Sequence, residues 1–582
     1  MKKTKIITGF GEWRLISRFE HQNLKNKVED IIDQLLKNRG IVTEKQKKEF
    51  FNPTDPQKAG LRSLGIDQKS VSSAIRRIRL AKAGKEKVII FGDYDVDGIC
   101  STAILWEYLY GIGLDVTPYI PERFSEGYGV KPESIVRLKK QYPKLSLIIT
   151  VDNGIVAFEA VNKARQLGID TIVVDHHEKG EKYPDAYSVV HTKKLCGAGI
   201  SWVLTREIDR KIAPAVPIGA FLRKNVGGKV KIEDGLELAA LGTVADQMPL
   251  LDVNRSIVKY GLEKLNTTNR TGLNALFLAS GINKGNIGIY EINYVIAPRL
   301  NAMGRLEHAI ESLRLLCTKN GKRAGELAQL LNRTNARRQK IVEESVAQAK
   351  SLLKKNKSDK IIIIDDESYH EGVVGLIAAK LVEEFWRPSV VVSRGEGLSK
   401  GSARSIPEFS IIDAIRSVEG LLIGAGGHQM AAGFVLKSEN ISKFKKLLQN
   451  YCAKNLKNDL LEKRLRVDIN LGFDGLTNKL AEKIEKMGPF GIGNPAPTFS
   501  TYACAIKDVR KVGRSGNHLK FILEHDAYEY EAIFFNSQNQ VTDFVPGVKL
   551  DIVYNLEENY WNGQVSLQLK VKDIKSNAGN MF

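Results

Sequence analysis

Three short apolar runs in the first third of the chain each end in acidic residues, and this pattern restricts the fold more than any other feature. Val88-Ile89-Ile90-Phe91 leads into Asp93-Tyr94-Asp95-Val96-Asp97-Gly98. Leu147-Ile148-Ile149-Thr150-Val151 leads into Asp152-Asn153-Gly154, and Thr171-Ile172-Val173-Val174 into Asp175-His176-His177-Glu178. Near-continuous apolar strands suit a parallel sheet covered on both faces. Stretches with helical spacing at 99–110 and 155–167 separate them, so the reading is an α/β domain with a doubly wound parallel sheet. In such a sheet the ligand crevice lies beyond the carboxyl ends of the strands. All three acidic motifs belong there.

Carboxylates at the alternate positions 93, 95 and 97 are expected on one side of an extended backbone. Such an array repels itself unless cations neutralise it, and oxygen ligands suit hard divalent ions. A fourth acid, Asp246, follows a helix expected at 236–244, in Gly242-Thr243-Val244-Ala245-Asp246-Gln247-Met248-Pro249. One acidic turn at a strand end is ordinarily just solvated. Three strand-end motifs with a histidine pair point to a divalent-metal site.

Those motifs resemble the first three of the DHH phosphoesterase superfamily, and Asp246 resembles its fourth. Farther on, His370-Glu371-Gly372-Val373-Val374-Gly375, Gly401-Ser402-Ala403-Arg404-Ser405 and Gly424-Ala425-Gly426-Gly427-His428 resemble the companion DHHA1 domain. Ala297-Pro298-Arg299-Leu300-Asn301-Ala302-Met303-Gly304-Arg305 and Gly488-Pro489-Phe490-Gly491-Ile492-Gly493-Asn494-Pro495 narrow the resemblance to the RecJ single-strand exonucleases. The resemblance implies hydrolysis of single-stranded DNA from the 5′ end to 5′-mononucleotides, in DNA repair and recombination. It also implies two metal ions, Mn²⁺ or Mg²⁺. Asp97, Asp152, His176 and Asp246 would hold one and Asp93, Asp95 and Asp152 the other. His177 would face the scissile phosphate, with Asp175 orienting the histidines; a buried structural histidine is the plainer reading of His177. A mixed carboxylate and imidazole set favours Mn²⁺.

Arg123, Arg299, Asn301, Ser402, Arg404 and His428 are the implied phosphate or substrate contacts. For Arg123 an ion pair with Glu122 or Glu126 is the alternative, and for Asn301 a tight loop around Gly304. Two departures stand out: His191-Thr192 occupies a place where Asn-Pro is common in the family, and Glu122 one where asparagine is usual. Both put the neighbouring loops, not the metal ligands, in question.

Composition agrees from a different direction. Eighty-seven Lys and Arg against 67 Asp and Glu give the 582-residue chain a formal net charge of +20, which suits a polyanionic substrate. Excess lysine that merely keeps the chain in solution is the alternative. The five cysteines include no CxxC pair and read as reduced thiols of a cytoplasmic protein. The basic start, Met1-Lys2-Lys3, lacks the apolar core of a signal peptide, and no apolar run reaches the length of a membrane span.

The expected organisation is a helical region at 1–84, the catalytic α/β domain at 85–265, a connecting region with a long helix at 266–357, a second α/β domain at 358–450 and a strand-rich segment at 457–582. Short strands with Gly and Asn turns fit a small barrel of the OB type. On it Lys511, Arg514, Lys520, Tyr560 and Trp561 are candidate nucleic-acid contacts, with packing at the barrel end as the ordinary alternative for the aromatics. Arg333, Arg337, Arg338 and Lys340 on the long helix are either substrate-facing charge or solvated surface. A monomer is expected, with a single-strand-binding protein or a helicase as candidate partners. The competing functional readings are a phosphodiesterase of short oligonucleotides or cyclic dinucleotides and a non-catalytic strand-binding scaffold. The complete acidic set argues against the scaffold, and the long basic chain against the phosphodiesterase.

Overall fold

The computed structural model describes residues 10–16, 27–127, 129–212, 235–353, 359–513, 516–537, 544–561 and 564–576. The chain forms two compact units, one of residues 52–343 with 489–494 and the other of 1–51, 344–488 and 495–582.

The first of these units is built on a five-stranded, wholly parallel sheet in the order Asp115–Tyr119, Lys87–Phe91, Leu145–Val151, Asp170–Asp175, Ser188–His191. Val88 to Phe91 and Leu147 to Ile149 are buried, as strands covered on both faces require. Strand order reverses at Lys87–Phe91, whose two neighbours are the next two strands in sequence. This is the switch point where an open sheet leaves a crevice. Helices Gln68–Ala83, Val96–Gly111, Gly197–Ile212 and Leu236–Ala245 pack the main core, and Pro132–Gln141 and Phe158–Gln166 supply part of a second core.

One expectation fails locally. The backbone is not extended through position 97, because the helix begins at Val96 with Asp95 as its N-cap, accepting from Gly98 N at 3.0 Å. A short acidic side chain that satisfies an orphan helix donor outcompetes continued extension. Asp97 therefore sits in the first helical turn.

The other unit holds two sheets that define its parts. One is mixed, in the order Leu422–His428, Ala431–Lys437, Leu398–Arg404, Ser389–Ser393, Ile362–Asp366, with only the last two strands parallel. Helices Val374–Phe385, Ile411–Arg416 and Ile441–Asn455 accompany it. The other is a closed barrel of five strands, Phe499–Val512, His518–His525, Tyr528–Phe534, Gln564–Ser576 and Lys549–Trp561, the last pairing back to the first. This is the OB-like barrel expected from the strand spacing. The long helix runs Gly321–Leu353.

The amino-terminal region is not helical throughout. Glu12–Leu15 is a strand paired in parallel with Arg464–Val467, and Trp13 Nε1 donates to Asp573 Oδ2 at 2.7 Å. Residues up to Phe51 belong with the barrel's unit, whereas those from Asn52 belong with the parallel sheet. Among the described residues no helix is long and apolar enough to cross a membrane, and all five cysteines are free thiols.

Arg270 links helices of the parallel-sheet unit. It is buried, with Nε 2.5 Å from Glu237 and Nη1 2.8 Å from Glu107. Removing one partner of such a buried network leaves uncompensated charge. Arg270→Met is expected to destabilise this unit by about 3–5 kcal/mol, read as an earlier transition in urea denaturation.

Candidate active site and metal centre

The site assembles from the carboxyl ends of three adjacent strands. Lys87–Phe91 delivers Asp93, Leu145–Val151 delivers Asp152, and Asp170–Asp175 ends in Asp175 with His176 and His177 directly after it. Asp246 arrives as the C-cap of the Leu236–Ala245 helix. Space is tight: a Cβ on Gly98 would stand 2.6 Å from Asp93 Cβ, and one on Gly242 2.5 Å from Asp97 Oδ1. Asp152 itself holds φ at +61°, a strained backbone for a residue with a side chain, of the kind that concentrates at functional sites.

Three overlapping sets of side chains place their ligand atoms within 4.8 Å of one another: Asp93, Asp95 and Asp152; Asp97, His176 and Asp246; and Asp152, His176 and His177. His176 Nε2 is 3.1 Å from Asp152 Oδ1 and 3.8 Å from both Asp97 Oδ2 and Asp246 Oδ2. Asp152 Oδ1 and His176 Nε2 are nonetheless buried without a hydrogen-bond partner. Converging carboxylates and an imidazole with unsatisfied atoms fit a divalent cation.

The electrostatics give the same answer. Burial, reinforced by Asp95, pushes Asp93 up to about 8, and burial with Asp97 pushes Asp246 up to about 8. Asp152 is raised well above the usual carboxylate range by burial and three neighbouring aspartates first among its charges. Burial holds His176 below its ordinary value, keeping it a neutral donor of its lone pair. His177 behaves oppositely. Burial pulls it down, but the hydrogen bond and charge of Asp175, whose Oδ1 is 2.8 Å from Nδ1, outweigh this and raise it to about 9. The Asp175 contact thus favours the charged form of His177.

Backbone donors that the sequence did not advertise hold the acids in place. Gly197 N and Ala198 N donate to the two oxygens of Asp97 at 2.7 and 2.8 Å, from the start of the Gly197–Ile212 helix. A helix N-terminus suits a carboxylate. Ile155 N donates to Asp175 Oδ2 at 2.9 Å. Asn153 is buried with neither amide atom partnered. Such contacts are tertiary, so only Cys196-Gly197-Ala198-Gly199 as a glycine-bearing helix start could have hinted at them. His191, the departure noted above, places Nε2 2.8 Å from the His177 carbonyl oxygen and so braces the loop from below.

The phosphate candidates divide by environment. Arg123 makes no ion pair among the described residues; its guanidinium lies over the Tyr94 ring at 5.1 Å. Glu126 is engaged instead by Arg137, Tyr119 and Ser134, and Glu122 stands 3.7 Å from His308 Nε2. Asn301 Oδ1 accepts from Val96 N at 3.0 Å, anchoring the metal loop to the Ala297–Leu306 helix, and Gly304 lies against the Tyr94 carbonyl. Arg299 donates to Asn332 Oδ1 at 3.0 Å.

In the other unit, Arg404 and His428 both face Ala431 in register on adjacent strands. Arg404 Nη1 donates to Ser402 Oγ at 3.1 Å, and a Cβ on Gly375 would meet Arg404 Nη2 and Ser402 Oγ at 3.0 Å. On the barrel, Lys520 is already engaged by Glu531 at 2.8 Å, while Lys511 is exposed. Arg514 lies outside the described residues, as do the side chains of Tyr560 and Trp561. Exposed Tyr502, Tyr528 and Phe535 are barrel aromatics the sequence reading did not single out.

Residues 87–220 match the DHH family N-terminal domain, 352–454 the DHHA1 domain and 467–573 the RecJ OB domain. The single-stranded-DNA-specific exonuclease RecJ of Bacillus subtilis is 32% identical over 584 residues, which cover 97% of this chain and 71% of that protein. The chain belongs to the RecJ family. RecJ of Thermus thermophilus is 32% identical over 84% of this chain and 68% of its own. Its crystal structure with Mn²⁺ matches 98% of this chain and 80% of that one, at 28% identity and a TM-score of 0.80; its structure with Mg²⁺ gives 0.75.

The raised carboxylates set a stability profile. A group whose folded value lies near 8 rather than 3.8 binds protons more tightly when folded, so stability is lost as pH climbs from about 4 to about 8. The metal-stripped protein is therefore expected to melt at a lower temperature at pH 8 than at pH 5. Mn²⁺ should raise the melting temperature far more at pH 8 than at pH 5, because ligands must be deprotonated to bind. Differential scanning fluorimetry with and without Mn²⁺ checks both signs.

Proposed function

We propose that this chain is a divalent-metal-dependent exonuclease that hydrolyses single-stranded DNA from the 5′ end and releases 5′-mononucleotides. The observation that carries the reading is the pair of ligand sets Asp93–Asp95–Asp152 and Asp97–His176–Asp246, with His176 Nε2 3.1 Å from Asp152 Oδ1, at the carboxyl ends of the parallel sheet in a chain of the RecJ family. Asp93, Asp95 and Asp152 would hold one cation, and Asp97, Asp152, His176 and Asp246 the other. Bound there, two such cations would supply activation of water at neutral pH and stabilisation of the charge that develops at phosphorus.

The chain's own groups do the remaining work. Charged His177, fixed by Asp175, donates toward the phosphate oxygens as negative charge develops, and its fixed orientation spares reorganisation at the moment of reaction. Arg123, whose guanidinium lies over the Tyr94 ring, presents its N–H edge to the same phosphate. Arg299 adds charge farther along the strand, and Asn301 acts by holding the metal loop rather than by touching substrate. Arg404, Ser402 and His428 form the proposed pocket for the terminal phosphate. The barrel grips the strand through exposed aromatics and Lys511. The same reading makes the enzyme a cytoplasmic monomer of DNA repair and recombination, supplied with single strands by a helicase or a single-strand-binding protein.

The test uses single strands labelled at either end, with Mn²⁺, with Mg²⁺ and with chelator. Metal-dependent release of mononucleotide from the 5′ label first supports the reading; release from the 3′ label first overturns the polarity. Asp152→Ala should reduce cleavage to background while strand binding by anisotropy persists. His177→Gln should lower kcat by about 10²–10³-fold. It should also remove a fall in kcat expected of the wild-type enzyme near pH 9, where His177 would lose its proton. Retention of that limb in His177→Gln would assign it to another group.

A further inference from the structure

Two arginines converge on one face of the Gly321–Leu353 helix, and among the described residues neither has a carboxylate within ion-pair distance. Arg299 reaches that helix through Nε, which donates to Asn332 Oδ1 at 3.0 Å, while its Nη1 donates to the Val295 carbonyl at 2.8 Å. Arg338 donates from Nη2 to Asn335 Oδ1 at 2.8 Å. Asn332 and Asn335 are three residues apart and share a helix face, so both guanidiniums are tethered to the same patch. Neither arginine forms an ion pair among the described residues. Both are half-buried, and Arg338 Nε is buried with no hydrogen-bond partner.

This arrangement is costly for a fold. Burial lowers the affinity of both groups for their protons, and Arg299 lowers that of Arg338 further, with Glu343 opposing. Adjacent cations with an unmet buried donor are what a site for a dianionic or monoanionic oxyanion looks like before its ligand arrives. The planar fork of arginine matches phosphate oxygens two at a time. Exposed Tyr290 and Tyr294, with ring centroids 5.0 Å apart, stand just before Arg299 in sequence, and unstacked bases bind such rings without regard to sequence.

We propose that Arg338 joins Arg299 in a second phosphate site, one that holds an internal backbone phosphate of the single strand rather than the phosphate being cleaved. The Ala297–Leu306 helix explains the separation. Asn301 of that helix bonds the metal loop, whereas Arg299, two residues earlier and about 200° around the axis, points toward the long helix. The site rests on the exonuclease reading for its ligand but not for its geometry.

The experiment compares the full-length wild-type protein with Arg338→Gln, Arg338→Lys and Arg299→Gln. Oligothymidylate binding is followed by anisotropy across a salt series in metal-free buffer, and hydrolysis of short and long strands is followed with Mn²⁺. Arg338→Gln should flatten the log-log salt slope by about 0.7 and raise KM for long strands about tenfold at unchanged kcat. Its melting temperature should be equal to or above that of the wild type, because a like-charge contact and an unmet donor are gone. Arg338→Lys should keep the slope yet raise KM, since the charge stays and the fork is lost; this variant also decides the matter if the glutamine variant does not fold. An unchanged salt slope and KM in a folded Arg338→Gln overturns the site. So does a fall in melting temperature with no change in KM, which marks a packing role. Failure of the wild type to degrade strands would instead reject the exonuclease reading, and the salt slopes would still report on the phosphate site.

Discussion

Repulsion among buried carboxylates is the constraint from which the rest of the catalytic unit follows. Asp93, Asp95, Asp97, Asp152 and Asp246 crowd one crevice, and a folded chain keeps such a cluster only if each charge has an answer. For Asp97 the answer is a pair of backbone donors at a helix start. For Asp95 it is, in part, the first turn of the helix it caps. For Asp175 it is His177, which holds that carboxyl below its ordinary value against the effect of burial. One backbone donor each does not suffice for Asp93 and Asp95, and these two remain raised together with Asp152 and Asp246, so divalent cations are their natural complement. Metal, proton and fold are linked through these four groups.

Much of this was legible in the sequence because the signals were local. Apolar runs ending in acids marked the strands and the crevice, and strand spacing marked the barrel. The alternating carboxylates at 93, 95 and 97 were read on one extended face, and there local reasoning chose the wrong competitor. Asp95 caps a helix that starts one residue later, so Asp97 approaches from a helical turn and comes to share a ligand group with His176 and Asp246 instead of with Asp93. The pairing of Glu12–Leu15 with Arg464–Val467 was illegible for another reason: a four-residue strand has little pattern, and its partner lies some 450 residues away in sequence. Lys520 looked like free charge, yet its cross-strand neighbour Glu531 takes it. Residue type predicts chemistry, but a surface lysine's availability depends on what the next strand carries.

The arginines show how one chain keeps an acidic centre and a basic binding surface from neutralising each other. Those that hold the fold together are answered by acids: Arg77 by Glu86 and Asp170, Arg206 by Glu207, Arg270 by Glu107 and Glu237. Three of the proposed phosphate contacts are positioned by neutral groups: Arg123 lies on the Tyr94 ring, and Arg299 and Arg338 take asparagine oxygens. A neutral acceptor fixes a guanidinium's direction without spending its charge, so the Coulombic attraction is reserved for the strand. The selection also runs the other way. Had Arg123 paired with Glu126, the strand would have had to displace a carboxylate to bind, and that exchange returns little net energy at a solvated surface. Glu126 is instead consumed by Arg137, Tyr119 and Ser134, which leaves Arg123 poised. On the proposed reading, the choice of partner, more than the number of basic residues in a chain of net charge +20, decides which arginines are available to phosphate.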